Sequence, residues 1–183
     1  MILVFLGPPF SGKGTQAEIL SKELGISVFS MGAIIRDAYA EDYPRAKEGY
    51  ENYSMKGLHL PNEIKFPWLI KKIDGQEDFI LDNYPGNQED LDTMLNYLAE
   101  NSLQIDKVFC VNISIEEMKN RMIQRGRPDD NPEIVLTRRE IQDKDRQPVL
   151  EYFRQKGLLA EINGEGTIDA VHAAIKGELN DKN

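Results

Sequence analysis

The sequence predicts an α/β protein with a parallel five-stranded sheet covered by helices on both faces. Three observations carry this. Short apolar runs recur along the chain, stretches of helical periodicity separate them, and glycine or proline marks many of the boundaries. Strands buried on both faces read as continuous apolar runs rather than alternating ones. The runs at residues 1–6 and 79–81 are of that kind, and those at 27–29, 108–113 and 158–162 are apolar but for Ser27, Asn112 and Glu161. In such a sheet ligands bind beyond the carboxyl ends of the strands.

The first run leads directly into Gly7-Pro8-Pro9-Phe10-Ser11-Gly12-Lys13-Gly14-Thr15. After it, Ala17, Leu20 and Leu24 fall at helical spacing and Gly25 supplies a C-terminal stop. Strand, glycine-punctuated loop, lysine, hydroxyl and helix form the arrangement that cradles a phosphate chain. Backbone N–H groups point inward, the helix N-terminus adds partial positive charge, and Lys13 adds a full one. Phe10, Ser11, Gly12, Lys13, Gly14 and Thr15 are therefore candidate nucleotide-binding residues. The strict P-loop has Ser or Thr directly after the lysine, and here Gly14 intervenes before Thr15.

The 183 residues suit one domain with small insertions. A formal net charge of −9 argues against nucleic acid or an anionic membrane as the main partner. The single cysteine, Cys110, has no internal disulfide partner and lies in an apolar run, as a core thiol would in a reducing compartment. No apolar stretch is long enough to span a bilayer and no signal-peptide pattern opens the chain, so the expected location is the cytoplasm. The sequence leaves the oligomeric state open, with a monomer as the expectation.

Two stretches do not fit plain crossovers. Residues 31–73 contain Pro44, Gly49, Gly57, Pro61 and Pro67, which predicts several short helices forming an insertion. Residues 126–131 form a polar break between helices, with Asn131 as cap and Pro132 at the first position of the second helix. Asp82 ends the third apolar run, where a carboxylate beside a phosphate-binding loop is placed to hold Mg²⁺ or its waters. Arg121 and Arg125 are four apart on one helix and share a face, while Met118 and Met122 take another.

The loop from Gly7 to Gln16 resembles the G-x-P-G-x-G-K-G-T-Q of adenylate kinases and related nucleoside monophosphate kinases, apart from Phe10 where that family has glycine. The resemblance extends over nearly the whole chain. It implies a P-loop NTPase-type core at 1–30, 74–125 and 132–183, a nucleoside-monophosphate-binding insertion at about 31–73, and a lid at about 126–131 that is shorter than the family's short form. By the same resemblance Lys13, Arg121, Arg125, Arg127 and Arg138 surround the transferring phosphoryl group, Thr15 and Asp82 serve Mg²⁺, and Gly166 presents backbone to the donor adenine. The segment Asn163–Thr167 reads equally well as a strand-to-helix turn capped by Thr167.

On the acceptor side the match is partial. Ser30-Met31-Gly32-Ala33-Ile34-Ile35-Arg36 resembles S-T-G-D-x-x-R, which makes Met31 and Arg36 candidate acceptor contacts. Leu58, His59 and Leu60 align with the family segment whose backbone meets the acceptor base. Asp82-Asn83-Tyr84-Pro85-Gly86 resembles D-G-F-P-R, with Tyr84 for Phe and Gly86 in place of the phosphate-gripping arginine. Asp90 aligns with the family's adenine-reading glutamine, and Gln88 lies nearby as a substitute. Lys47, Lys56 and Lys65 are open candidates to replace the missing arginine.

Together these readings imply transfer of the γ-phosphoryl group of Mg²⁺·ATP to AMP, giving two ADP, with nucleotides as the partners. Two alternatives remain at this stage: a P-loop kinase with a different acceptor, supported by the changes at Met31, Ala33, His59, Gly86 and Asp90, and a non-catalytic nucleotide-binding protein.

Overall fold

Alternate residues of the first strand enter two separate cores. Ile2, Val4 and Leu6 face one and Leu3 and Phe5 the other, and all five are buried. The structure, a computed structural model, describes residues 1–125 and 131–180. Its strands are β1 (Ile2–Leu6), β2 (Ser27–Ser30), β3 (Phe79–Asp82), β4 (Lys107–Asn112) and β5 (Leu159–Asn163). They pair in parallel in the order β2-β3-β1-β4-β5. The register matches Phe5 with Asp82 and Ser30 with Asp82, so three strands end at one level beside the loop after β1.

The helices are α1 (Lys13–Leu24), α2 (Met31–Ala40), α3 (Ala46–Asn52), α4 (Asn62–Ile73), α5 (Gln88–Glu100), α6 (Ile115–Arg125), α7 (Pro132–Gln155) and α8 (Ile168–Asn180), with a 3₁₀ turn at Ser54–Lys56. α1 and α8 cover one face through Ala17, Leu20, Val171 and Ile175. α2, α4, α5 and α7 cover the other through Ile34, Leu69, Met94 and Val149. Each of the larger of these side chains, fully buried, contributes roughly 1.5–3 kcal/mol of transfer free energy. A third, smaller cluster of Ile113, Met118, Met122 and Val135 packs α6 against the start of α7.

The expected boundaries hold to about a residue, as is usual where helix and strand ends fray. Gly25 ends α1 in the left-handed conformation at φ 69°. Asn131 caps α7, its side-chain oxygen accepting from the N–H groups of Glu133 and Ile134. Between β2 and β3 lie α2, α3, the 3₁₀ turn and α4, as the density of helix breakers predicts. Pro67 does not break anything: α4 runs through it. Ile64, Trp68, Leu69 and Ile73 are buried along that helix, and their packing outweighs the lost hydrogen bond. The segment expected as a lid lies, apart from Asn131, outside the described residues. Among the described residues no helix is long and apolar enough to cross a membrane.

Candidate active site

The carboxyl ends of β1 and β3 open onto a cavity of about 960 Å³. Its floor is the loop after β1. Close packing fixes that loop: a Cβ on Gly7 would overlap the Val111 carbonyl oxygen of β4. Gly12 stands at φ 88° as the N-cap of α1, a conformation that glycine adopts at little cost. The first-turn N–H groups of α1 thus face the cavity end of the sheet, the arrangement that favours an anion. Ser11 is buried and its Oγ has no hydrogen-bond partner among the described residues.

Phe10 has φ 63°, the left-handed region. A glycine would be unstrained there. The phenylalanine is held because its ring packs against the cluster of Ile113, Met118, Met122 and Val135.

Among the described residues five cations line this cavity in a chain of net charge −9: Lys13, Arg36, Lys65, Arg121 and Arg138. Lys13 Nζ donates to the Pro8 carbonyl at 3.1 Å, which curls the side chain over the loop. Arg121, on α6, spans the loop and the end of β5. Its Nη1 donates to Phe10 O at 3.3 Å, its Nη2 to Gly164 O at 2.7 Å, and its Nε to Glu117 at 2.6 Å. A guanidinium held at three points is pre-organised, so it loses little freedom when it meets an anion. Arg138, on α7, donates to Ser54 O at 3.1 Å and so ties α7 to the 3₁₀ turn of the insertion. The side chain of Arg125 and all of Arg127 lie outside the described residues.

Asp82 is 7% exposed and its Oδ1 has no hydrogen-bond partner among the described residues. Its Oδ2 lies 3.4 Å from where a Cβ on Gly14 would be. That is an ordinary van der Waals distance, so the start of α1 packs directly against this carboxylate. Thr15 follows, exposed and on the cavity wall. Gly166 and Thr167 line the far side, and Thr167 Oγ1 accepts from the Ala170 N–H to cap α8.

The acceptor-side residues divide. Met31, Arg36, Leu58, His59 and Leu60 line the cavity. Tyr84, Gly86 and Gln88 do not stand on its wall. Tyr84 is fully buried, donates to Asn62 Oδ1 at 2.9 Å, and has its phenol pushed up by burial. Gln88 turns to Asp92 at 2.7 Å. Gly86 is covered: a Cβ there would lie 3.0 Å from His59 Cε1.

Among the three lysines left open by the sequence, only Lys65 reaches the cavity, and it is not free for a phosphate. Its Nζ lies 2.8 Å from Asp90 Oδ2, and both side chains are almost completely buried. Sequence reasoning missed this pair. A faint signal existed in Lys65 falling next to Ile64 on the apolar side of α4. The neighbouring His59 is neutral at pH 7, because burial and the adjacent Lys65 charge lower its pKa.

A strand-loop-helix cradle, a converging set of cations and a lone strand-end carboxylate define a P-loop protein built to hold a nucleotide's phosphates. The comparisons agree with this class. The adenylate kinase family model matches residues 5–158. The chain is 35% identical to the adenylate kinase of Mycolicibacterium smegmatis, covering 94% of this chain and 96% of that one. It is 33% identical to the adenylate kinase of Prochlorococcus marinus, covering 97% of each. It is 34% identical to that of Corynebacterium glutamicum, covering 94% and 96%. The chain belongs to the adenylate kinase family, a family of phosphotransferases.

Proposed function

We propose that the protein transfers the γ-phosphoryl group of Mg²⁺·ATP to AMP, giving two ADP. The observation that carries this reading is one cavity with two cationic ends. Lys13 and Arg121 stand at the loop after β1, and Arg36 stands on α2 across the same chamber. A chamber of this size holds two nucleotides end to end, with their phosphates meeting near the strand ends.

In this reading the loop residues Phe10 to Thr15 bind the donor phosphates through backbone N–H groups. Lys13, Arg121 and Arg138, joined by Arg125 and Arg127, hold the transferring group. Phosphoryl transfer spreads negative charge over oxygens and asks little proton chemistry of the protein, so several fixed cations are the main catalytic device. Gly166 lies against the donor adenine. Arg36 binds the acceptor phosphate, and Met31, Leu58, His59 and Leu60 line the acceptor nucleoside, with Tyr84 and Gly86 supporting them from behind. The insertion at about 31–73 carries the acceptor, and residues 126–131 form the short lid.

The residues suit Mg²⁺. This ion keeps several waters and needs one or two carboxylates plus substrate phosphates rather than a protein cage. Asp82 offers a buried oxygen without a partner, with Thr15 near the loop. When bound, Mg²⁺ would neutralise and orient the donor's phosphate oxygens. The experiment is ADP release from ATP by the purified protein with each nucleoside monophosphate in turn. AMP-dependent ADP release is the expected result. ATP hydrolysis indifferent to AMP would refute the reading.

A further inference from the structure

Lys65 and Asp90 form a charge pair in the cavity wall that phosphate binding does not use. Nζ and Oδ2 are 2.8 Å apart, and the side chains are 4% and 1% exposed. Oδ2 also accepts from the Gly86 N–H at 3.0 Å. The Asp90 N–H is held by Asn87 Oδ1 at 2.9 Å, which fixes the residue in the first turn of α5. Oδ1 is buried and has no hydrogen-bond partner among the described residues. A stability role explains this poorly, since buried ion pairs are often matched by apolar substitutes and an unpaired buried acceptor is costly.

The chemistry of the pair narrows what it can recognise. The carboxylate only accepts hydrogen bonds, and it repels phosphate. The ammonium only donates, and one of its three N–H bonds is already directed at Oδ2. Side by side they offer an acceptor beside a donor, each fully charged. The complement is the edge of a neutral ring that carries a donor next to an acceptor. In a 6-oxopurine the ring N1–H and the O6 carbonyl are adjacent: N1–H donates to the carboxylate and O6 accepts from the ammonium. Guanine adds the N2 amino group as a further donor. Adenine offers the same two functions in the opposite order, an amino donor and the N1 acceptor. Hydrogen bonds to ionised partners are roughly twice as strong as neutral ones, so the order of donor and acceptor on the ring edge matters at this pair.

We propose that Lys65 and Asp90 read the edge of the acceptor base, and that this pair admits the 6-oxopurine monophosphates GMP and IMP as phosphoryl acceptors beside AMP. The inference rests on the reading of this cavity as a monophosphate kinase site. In the step itself, the bond between the γ-phosphorus and the oxygen bridging it to ADP breaks. A bond forms between that phosphorus and a phosphate oxygen of GMP or IMP, so ATP and GMP give ADP and GDP.

The test is steady-state kinetics of the full chain with Mg²⁺·ATP and AMP, GMP, IMP or CMP. GMP or IMP should reach a kcat/KM within about tenfold of AMP, and a preference for AMP beyond about tenfold over both overturns the inference. Phosphorylation of AMP alone would sink this inference and leave the proposed function standing. No phosphorylation of any monophosphate would sink both. The double variant Lys65→Met/Asp90→Gln removes both charges together and leaves no lone buried ion. It should lower the GMP-to-AMP and IMP-to-AMP ratios of kcat/KM by about tenfold or more. A merely structural pair would depress all acceptors alike, so unchanged ratios would overturn the assignment.

Discussion

His59 stands over Gly86: its Cε1 lies 3.0 Å, and its Nδ1 3.4 Å, from the point where a Cβ on Gly86 would be. The two residues are one substitution in physical terms. The motif that residues 82–86 resemble has an arginine at the position of Gly86, and here the His59 ring stands in the adjoining space. Gly86 does not have a positive φ, so the obstacle to a side chain there is the imidazole and not the backbone. Gly86→Arg alone should therefore overpack the site, cost about 1–3 kcal/mol of stability, and leave KM for AMP no better than wild type. Combined with His59→Ala, the new guanidinium has room, and KM for AMP should fall about tenfold, as for one added charged hydrogen bond. Urea unfolding and steady-state kinetics of both variants check this. A lower KM from the single variant would show that His59 does not block the position.

Asp82→Asn should separate stability from activity. The carboxylate is buried with one oxygen unpaired among the described residues, so neutralising it should leave the melting temperature equal or higher. Activity should fall by about a hundredfold or more if this oxygen serves the metal that neutralises the phosphates. Differential scanning calorimetry and an Mg²⁺ titration of the rate provide the two readouts. A variant with unchanged metal dependence would direct attention to another carboxylate.

At Phe10 the backbone and the side chain oppose each other. The left-handed conformation costs a non-glycine residue roughly 1–2 kcal/mol, while the ring is packed against Ile113, Met118, Met122 and Val135. Phe10→Ala loses the ring and keeps the strain. Phe10→Gly loses the ring and relieves the strain. The alanine variant should therefore be the less stable of the two by about 1 kcal/mol in denaturant unfolding. The reverse order would mean that the loop relaxes out of the left-handed region when the ring is removed.

His59 gives the acid side of the stability profile a definite sign. Its pKa is lowered in the folded state, first by burial and then by Lys65, with Asp90 and Asp145 acting in the opposite direction. The neutral form is favoured by folding, so its contribution is complete above the unfolded value near 6.5 and is lost as pH falls below it. His59→Gln should flatten the loss of stability between about pH 6.5 and 5. A wild-type profile no steeper than the variant's over that window would remove His59 from the account.

The parts of this structure that were legible in the sequence are those set by local pattern. Short, β-branched or aromatic apolar runs bounded by polar residues, such as residues 79–81, suit buried parallel strands. The loop from Gly7 to Thr15 is legible because its glycines, its lysine and its position between strand and helix are each required by phosphate chemistry. The cap at Asn131 follows from the same local logic. What escaped detection depends on tertiary contact. Pro67 argues for a helix end, and only the packing of Trp68 and Leu69 shows why α4 continues. Lys65 reads as an open candidate to replace the missing arginine, and the carboxylate that holds it is 25 positions away. The role of His59 is invisible without the space above Gly86. The family resemblance gives Arg121 its role, but its contacts to Phe10 O and Gly164 O, which make it rigid, join segments far apart in the chain.

The destination of the γ-phosphoryl group decides whether this cavity is a monophosphate kinase site. ATP labelled at the γ-phosphorus should be incubated with unlabelled AMP, Mg²⁺ and either wild-type protein or Lys13→Met. In the wild type the label should appear in ADP, and in the folded Lys13→Met variant the rate should fall by about a hundredfold or more, as when one fixed electrostatic donor is removed from such a site. Label released as inorganic phosphate, or transfer within about tenfold of wild type in the Lys13→Met protein, would contradict it.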